Sequence, residues 1–441
     1  MTDATANGAA AGAHERYRSA RFRRRLRRRH AWGAVLRLAG IGAIVVALGM
    51  LGVLLVSIGL RGYTAFQQVQ IRLEVHFDPA DLPAEDDGRP TAEALADADY
   101  TPIIRDALQA RLGEAEGVVA AREMGALVSN GAQYTLRRMA GDDPDLVGER
   151  RTVWLAASGD IDMVVKGIVP VDVQLDERQL SDRQLAWLEE LRDAGDIRTA
   201  FNTDFFTGTT SREPELAGIW GAFVGSMLTL AVTLILAFPV SVLAAVYLEE
   251  FAPKNRWTEM IEININNLAA VPSIIFGLLG LAVFLNVFDL PRSSPLAGGV
   301  VLALMTLPIV IISARSALRS VPPAYREAAR QLGASPQQVV AYSVLPVAMP
   351  GILTGTIIGM AQALGETAPL LLMGMVAFVN DVPNGFTDAA TVLPVQIYLW
   401  AESAERGFVE KTAAGILVLL AVLVTMNAAA IYLRQRLQKR G

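Results

Sequence analysis

The feature that most constrains this chain is a series of apolar runs that approach or exceed the length of a membrane-spanning helix. A helix rises about 1.5 Å per residue, so about 20 apolar residues cross the roughly 30 Å hydrocarbon core of a bilayer. The 441-residue chain is 52% hydrophobic, whereas soluble proteins average about 45–50% and lack such runs. The sequence therefore predicts an α-helical polytopic membrane protein with about six transmembrane helices. The predicted spans are Ala34–Leu60, Ala222–Leu248, Leu268–Val287, Gly298–Ala317, Gly351–Phe378 and Thr412–Leu433.

The positive charges predict which side of the membrane the two ends of the chain face. Arginines crowd residues 16–29, directly before the first apolar run, and residues 434–441 are basic as well. Because Lys and Arg accumulate on the cytoplasmic side of membrane proteins, we expect cytoplasmic tails at residues 1–33 and 434–441. A nucleic-acid-binding arm is the less favoured interpretation of the N-terminal arginines. The first run is too long for the apolar core of a signal peptide, so an anchor is predicted at residues 34–60.

Residues 61–215 interrupt the apolar pattern and predict an extracytoplasmic α+β domain. Val69–Phe77 alternates apolar and polar residues, as a half-buried strand does. A capping box begins a predicted helix at Ser181–Ala194. The other predicted elements are a helix at Ile103–Leu112 and strands at Thr152–Ala157 and Ile161–Val165. The five remaining spans then form a membrane core at residues 216–433.

The composition argues against several classes of function. The chain has no cysteine and three histidines, none with the spacing of a metal ligand, so disulfides and thiol or histidine catalysis are not expected. An acidic stretch within residues 78–99 lacks the alternating spacing of an EF-hand calcium loop, and we interpret it as a solvated loop. No G-x-x-x-x-G-K-[ST] phosphate loop occurs, so the chain is not expected to hydrolyse ATP. We expect no catalytic residue, no metal and no cofactor.

A polar helix–turn–helix lies between the fourth and fifth predicted spans, at residues 320–350. Pro322 and its neighbour suit the first turn of a helix, and Gly333 suits the left-handed position that ends one. Ser335 then begins a second helix as an N-cap, with a glutamine three residues later to complete a capping box. The prolines at positions 346 and 350 are expected to break the chain again before the fifth span.

This loop resembles the EAA loop of ABC-importer permeases, E-A-A-x3-G-x9-I-x-L-P, which is cytoplasmic and docks into an ATPase subunit. The resemblance implies that the residues coupling this chain to an ATPase are Glu327, Ala328, Ala329, Gly333, Leu345 and Pro346. Ser343 stands where the family usually has Ile or Val, which weakens the hydrophobic contact behind the loop. An amphipathic hairpin without a partner is the alternative interpretation.

Ionisable residues inside two of the predicted spans indicate a transport path, because a charge at a membrane-helix centre costs at least ~2.5–3.5 kcal/mol. Glu366 and Gln362 are four residues apart and are expected to share one face of the fifth helix. Together with Thr367 they predict a translocation path, with a hydrogen bond inside the bundle as the alternative for Glu366. Arg315 is expected either to offer its guanidinium to an anion on that path or to reach the cytoplasmic interface.

Four further stretches make the resemblance more specific, and together they resemble the PstA family of phosphate ABC-transporter permeases. They are YLEEFAPKNR at 247–256, NNLAAVPSIIFGLLGLAVF at 266–284, GETAPLL at 365–371 and LPVQIY at 393–398. The resemblance implies partnership with an ATPase dimer (PstB-like), a second permease (PstC-like) and a phosphate-binding protein (PstS-like). The family often has Arg where this chain has Gln362, which removes one anion contact and leaves Glu366 without a counter-ion four residues before it.

These patterns together predict a permease subunit of the bacterial inner membrane that moves inorganic phosphate inward, powered by a separate ATPase and without a nucleic-acid partner. A permease for another oxyanion, molybdate or sulfate, is the nearest alternative, because the EAA loop is common to all of these transporters. A membrane-anchored sensor using residues 61–215 would require a cytoplasmic output domain, which is not evident. A membrane-embedded hydrolase would require a nucleophile–base pair or paired aspartates in the spans, and neither is evident.

Overall fold

The computed structural model describes residues 20–80, 82, 92–169, 180–375, 379 and 381–438. The chain forms two units, one up to Leu60 and one from Arg61 onward. Helix α1, Ala20–Gly62, builds the described part of the first unit, and no residue of its most apolar window is buried. Such a surface suits hydrocarbon rather than water. The helix begins well before the predicted Ala34, because arginine is a good helix former and extends a helix already established in the apolar run. Residues 1–19 of the predicted tail lie outside the described part.

Residues 61–215, the inserted segment, contain a three-stranded antiparallel sheet in the order β2–β1–β3. The strands are β1 (Gln67–His76), β2 (Arg150–Ala156) and β3 (Ile197–Phe201). The helices are α2 (Ala92–Asp97), α3 (Thr101–Leu112), α4 (Val118–Gly125), α5 (Ala132–Asp142), α6 (Gly159–Val165), α7 (Asp182–Asp193) and α8 (Thr203–Thr207). Ile71 of the central strand lies opposite Leu155 and Ile197. Alternate β1 side chains fill a hydrophobic core formed entirely within this segment.

Most of the predicted elements of the inserted segment are confirmed, but the strand at Ile161–Val165 is wrong, because these residues lie in α6. Ser158 has the extended backbone of an N-cap, and two aspartates follow it in the first turn, where the helix dipole favours acidic side chains. Asp162 Oδ1 accepts a hydrogen bond of 2.7 Å from the Val69 backbone N–H. The apolar run therefore packs on the sheet as a helix instead of joining it.

The other membrane helices follow the inserted segment. They and their connecting helices are α9 (Trp220–Val246), α10 (Arg256–Ala269), α11 (Ser273–Leu279), α12 (Pro295–Arg319), α13 (Pro323–Gln331), α14 (Pro336–Val339), α15 (Leu345–Gly365), α16 (Ala368–Leu372), α17 (Leu393–Ala401) and α18 (Gly407–Gln438). π-Helical turns at Tyr247–Phe251, Gly280–Leu285 and Val340–Val344 extend α9, α11 and α14. In the described chain, five helices are long and apolar enough to cross a membrane, or six if a bent pair is counted as one span. The prediction of about six spans is confirmed.

The bent pair corrects the predicted third span, Leu268–Val287. Helices α10 and α11 meet at an angle of 102°, so no straight helix covers that range. Pro272 lies at the bend with an extended backbone. Because proline lacks an N–H and disfavours helical geometry in the preceding residue, the helix ends there and restarts in a new direction.

Helices α12 and α15 pack closely along a stripe of glycines. A Cβ placed on Gly351 would lie 2.6 Å from Ala317 Cβ, and one on Gly355 would lie 2.1 Å from Ser313 Cβ. Glycines four residues apart lie on one helix face and let two membrane helices approach closely. This contact sets the register of α15 against α12.

Candidate functional site

The loop between α12 and α15 is held by the local signals that its sequence contains. Gly333 has a φ of +81°, and the N–H groups of Gly333 and Ala334 donate to the carbonyls of Arg330 and Ala329 at 3.0 and 3.1 Å. This pattern closes the end of α13 as a Schellman motif. Ser335 then caps α14 with a complete capping box. The predicted helix–turn–helix is therefore confirmed.

The second helix of the loop does not end where prolines predict a break. One helix runs from Pro336 through the π-helical turn and α15 to Gly365, with Pro350 inside it. A π-helical turn changes the hydrogen-bond register, so we attribute the tolerance of Pro346 to the turn that precedes it. The loop is consequently continuous with the membrane helix that follows.

The predicted coupling residues fall on an open surface. Glu327, Ala328, Gly333 and Pro346 are exposed, and Ala329 and Leu345 are half-buried. Large apolar side chains are exposed beside them, with Leu332 at 89% and Tyr325 and Tyr342 also open. Several exposed apolar side chains of this size on one loop are typical of a protein-binding surface.

The underside of the loop packs on the ends of the membrane helices. Val321, Val339 and Val344 are buried in one cluster with Leu248 and Leu318. The half-buried Ala329 packs on the same cluster. The loop is therefore seated on α9 and α12 by apolar contact, and Glu327 and Leu332 stay exposed.

Ion pairs surround this apolar seat. Arg326 of α13 pairs with Glu250 of the turn after α9, with Nη2 2.6 Å from Oε1. The buried Arg315 of α12 lies 2.5 Å from Glu262 on α10 and 3.5 Å from Glu249. Exposed Arg319 shares Glu249 at 2.8 Å. These groups are referred to below as the loop-end network.

The structure does not bring Arg315 together with Glu366. Arg315 is level with the stretch between Gly351 and Gly355 of α15, given the packing register described above. Glu366 follows Gly355 by 11 residues, which is about 16 Å of helix rise. Between the two roles predicted for Arg315, its pairing with two glutamates favours the interface.

The shared helix face predicted for Gln362 and Glu366 is wrong. Helix α15 ends at Gly365, and Glu366 has an extended backbone with a ψ of 127°. Thr367 begins α16 without a side-chain cap. Gln362 is exposed, whereas Glu366 and Thr367 are half-buried. The three predicted path residues therefore flank a break in the helix, as expected where a proline follows at position 369.

A second group of charges, which sequence analysis missed, lies between the inserted segment and the start of α18. Lys166 Nζ lies 2.5 Å from Asp162 Oδ2 and 3.0 Å from Glu410 Oε1. Burial raises the pKa of Asp162 above its ordinary value, although Lys166 opposes that rise. Lys411 is also buried, 5.1 Å from the Phe205 ring centroid. Asp162 and Lys166 are four residues apart, a spacing that favours an ion pair on a helix, but no local pattern identifies Glu410, the member of this domain-end cluster that is 244 residues from Lys166.

Comparison with known proteins agrees with this geometry. Residues 237–440 match the sequence model of binding-protein-dependent transport system inner membrane components, the class of permease that the helix bundle and its exposed loop define. Residues 23–175 match a domain of unknown function (DUF3333). The phosphate transport system permease protein PstA 1 of Mycobacterium tuberculosis (strain CDC 1551 / Oshkosh) is 32% identical, over 50% of this chain and 72% of its own length. PstA of Haemophilus influenzae is 34% identical over 46% of this chain and 71% of its own.

The chain belongs to the PstA family of phosphate transport system permeases. Among solved structures, an inward-facing MetNI methionine ABC transporter matches 50% of this chain and 97% of its own, at 20% identity and a TM-score of 0.39. The family and the apolar helices make the chain a multi-pass membrane protein, and its relatives are permease subunits rather than enzymes.

Proposed function

We propose that this chain is the permease subunit of an ATP-driven importer that carries inorganic phosphate across the bacterial inner membrane. The observation that carries the proposal is the exposed, firmly seated loop at residues 320–350, in a chain whose relatives are named phosphate transport permeases. The sequence contains no phosphate-binding loop for ATP, so the ATPase is a separate subunit. The partners are an ATPase dimer, a second permease and a phosphate-binding protein.

The arginine-rich ends of the chain support its orientation. The loop carries Arg326 and Arg330, and basic residues also crowd the start of α1 and the end of α18. The positive-inside rule puts all of these on the cytoplasmic side. The inserted segment then lies outside the cytoplasm, and the ATPase reaches the loop from within.

The continuous helix from Pro336 to Gly365 suggests how the loop acts on the path. Helix α14, the π-helical turn and α15 form one continuous helix of 30 residues, so displacement of its loop end moves its other end as well. That other end is the break at Glu366 and Thr367. Closure of the ATPase dimer against Glu327 thereby alternates access around Gln362, Glu366 and Thr367. A protonated phosphate offers Glu366 a hydrogen bond, whereas an ionised carboxylate repels a fully ionised anion.

The proposal is tested by ATP-dependent uptake of radiolabelled phosphate into vesicles that contain the whole complex. Glu327→Arg reverses a charge on the docking face, and we expect it to abolish uptake. Glu189→Arg makes the same change at an exposed glutamate of α7, and we expect normal uptake. Molybdate and sulfate serve as competitors, and neither is expected to reduce phosphate uptake. If an assembled complex that hydrolyses ATP takes up molybdate or sulfate but not phosphate, the substrate assignment is wrong.

A further inference from the structure

One ion pair links the loop to α9, a helix that is not adjacent to the loop in the sequence. Arg326 Nη2 lies 2.6 Å from Glu250 Oε1, and Arg326 Nε lies 3.2 and 3.3 Å from the two carboxylate oxygens. Two adjacent nitrogens of Arg326 thus face one carboxylate. This bidentate (two-pronged) geometry makes an arginine–carboxylate pair stronger and fixes the relative orientation of the two side chains. Helix α13 is thereby attached to the end of α9.

The same guanidinium also reaches α12. Arg326 Nη1 donates to the Val321 carbonyl at 2.8 Å, and Nη2 donates to the Leu318 carbonyl at 3.0 Å. The last carbonyls of a helix have no partner within it, so Arg326 caps the end of α12 while it holds Glu250. The Arg326 and Glu250 side chains are only 18% and 9% exposed. A single side chain therefore joins the ends of three helices.

We infer that Arg326 and Glu250 form the joint that transmits motion of the coupling loop to α9, the second span. The inference rests on the proposed function, and both residues are positioning residues rather than contacts of the ATPase or of phosphate. Motion reaches α12 and α15 through the chain itself, because they precede and follow the loop. Helix α9 has no such covalent path.

Apolar packing alone does not provide the same transmission. Helix α9 contacts α12, and Val242 and Leu248 lie in the apolar cluster beneath the loop. These contacts, together with hydrogen bonds from Thr233 and Ser241 of α9 to backbone carbonyls of α12, hold α9 against α12, but these hydrogen bonds do not reach α13. The two-pronged pair fixes one distance and one orientation, and it therefore keeps α9 in register with α13.

The loop-end network contains a matched control for this joint. Arg319 also pairs with a glutamate of the turn after α9, Glu249, at 2.8 Å. Its side chain is 58% exposed, and exposed pairs contribute little because water replaces them readily. Arg319→Gln therefore removes an arginine of the same network without removing the joint.

The test is the ratio of phosphate taken up to ATP hydrolysed by the complete complex in vesicles. This ratio does not change when a variant merely lowers the amount of assembled complex. We expect Glu250→Gln and Arg326→Gln to continue hydrolysing ATP but to lower the ratio about fivefold or more, the lower end of typical coupling between sites. Arg319→Gln is expected to keep the wild-type ratio, and Glu250→Asp to restore part of it. A wild-type ratio in Glu250→Gln would overturn the inference.

A cross-link distinguishes this inference from the proposed function. The chain has no cysteine. If cysteine-free versions of the other subunits are used, Glu250→Cys combined with Arg326→Cys gives a complex with one pair of cysteines. A short bismaleimide should join the two positions with equal yield in the resting and the vanadate-trapped complex, and should restore the transport ratio. A yield that falls on trapping would show that the joint opens, which contradicts the inference. Absence of phosphate uptake by the wild-type complex would overturn the proposed function instead, while the cross-link still tests the joint.

Discussion

Charged side chains form ion pairs at both ends of the membrane bundle, but the pairs at one end are more deeply buried than those at the other. In the domain-end cluster, Lys166 and its two acidic partners are 4–8% exposed. In the loop-end network, every ion pair has at least one partner that is 18% exposed or more. Glu249 serves both Arg315 and Arg319 there. Water and alternative partners are thus available at the loop end, but far less at the domain end.

This difference indicates which end is built to move. A buried charge that loses its partner has nothing to replace it, so separating the domain-end cluster would carry a large desolvation penalty. At the loop end, the side chain of Arg319 is 58% exposed, so it exchanges Glu249 for water at small cost. The inserted segment is therefore expected to remain attached to α18 throughout a transport cycle. Rearrangement is expected at the loop end, among Arg315, Arg319 and the Glu249 that they share, while the joint between Arg326 and Glu250 stays closed.

The largest predicted effect is on the domain end. Lys166→Met removes the cation that contacts both Asp162 and Glu410, and we expect the free energy of unfolding to fall by about 3–5 kcal/mol. Denaturant unfolding of the detergent-solubilised protein, followed by tryptophan fluorescence, measures the loss. Arg105→Met is the control, because the Arg105–Asp106 pair is more than half exposed on both sides and is worth less than about 1 kcal/mol. Equal losses in both variants would remove the distinction between the two ends.

The next prediction concerns local stability at the loop end. Gly333 has a φ of +81°, and an added Cβ would meet no atom within 4 Å. Gly333→Ala should therefore lower stability only because alanine disfavours this left-handed backbone conformation. We expect a local cost of about 1–2 kcal/mol, or about 5–30-fold faster amide exchange in the last turn of α13. Hydrogen exchange read by mass spectrometry measures this, with Gly125→Ala as a control at a glycine with an ordinary φ and no close neighbour. Unchanged exchange in the variant would contradict a loop end held by this turn.

The smallest predicted effect is a pH dependence near the domain end. Burial raises the pKa of Glu215, and a hydrogen bond from Ser129 offsets part of that rise. The folded state then holds this proton more tightly than the unfolded state, so stability falls as pH rises from about 4.3, the ordinary glutamate value, through the raised pKa. Glu215→Gln cannot ionise and should show a smaller decrease in melting temperature over that range. An identical pH profile in the variant would show that Glu215 does not contribute.

Short-range sequence signals predicted the helix–turn–helix of the loop at residues 320–350 correctly, but they did not predict the helix break at the proposed translocation path. Gly333, Ser335 and Gln338 act on backbone groups within four residues, so their effect was evident from spacing. Glu366 was placed on a continuous helix because apolar residues surround it, yet α15 ends one residue earlier. The run Ile161–Val165 is too short for its periodicity to distinguish a strand from a helix. Its contact with Val69 decided in favour of the helix.

The sequence by itself determined the membrane class, the number of spans within one, the caps of the loop and the resemblance to a permease family. These follow from run length, charge distribution and residue spacing, each of which acts over one or two helical turns or over the thickness of a bilayer. Only the tertiary structure decided that Arg326 holds Glu250, that Arg315 turns toward Glu262, and that Lys166 is buried against Glu410. These partners are 53–244 residues apart, and which charges meet depends on how the helices pack.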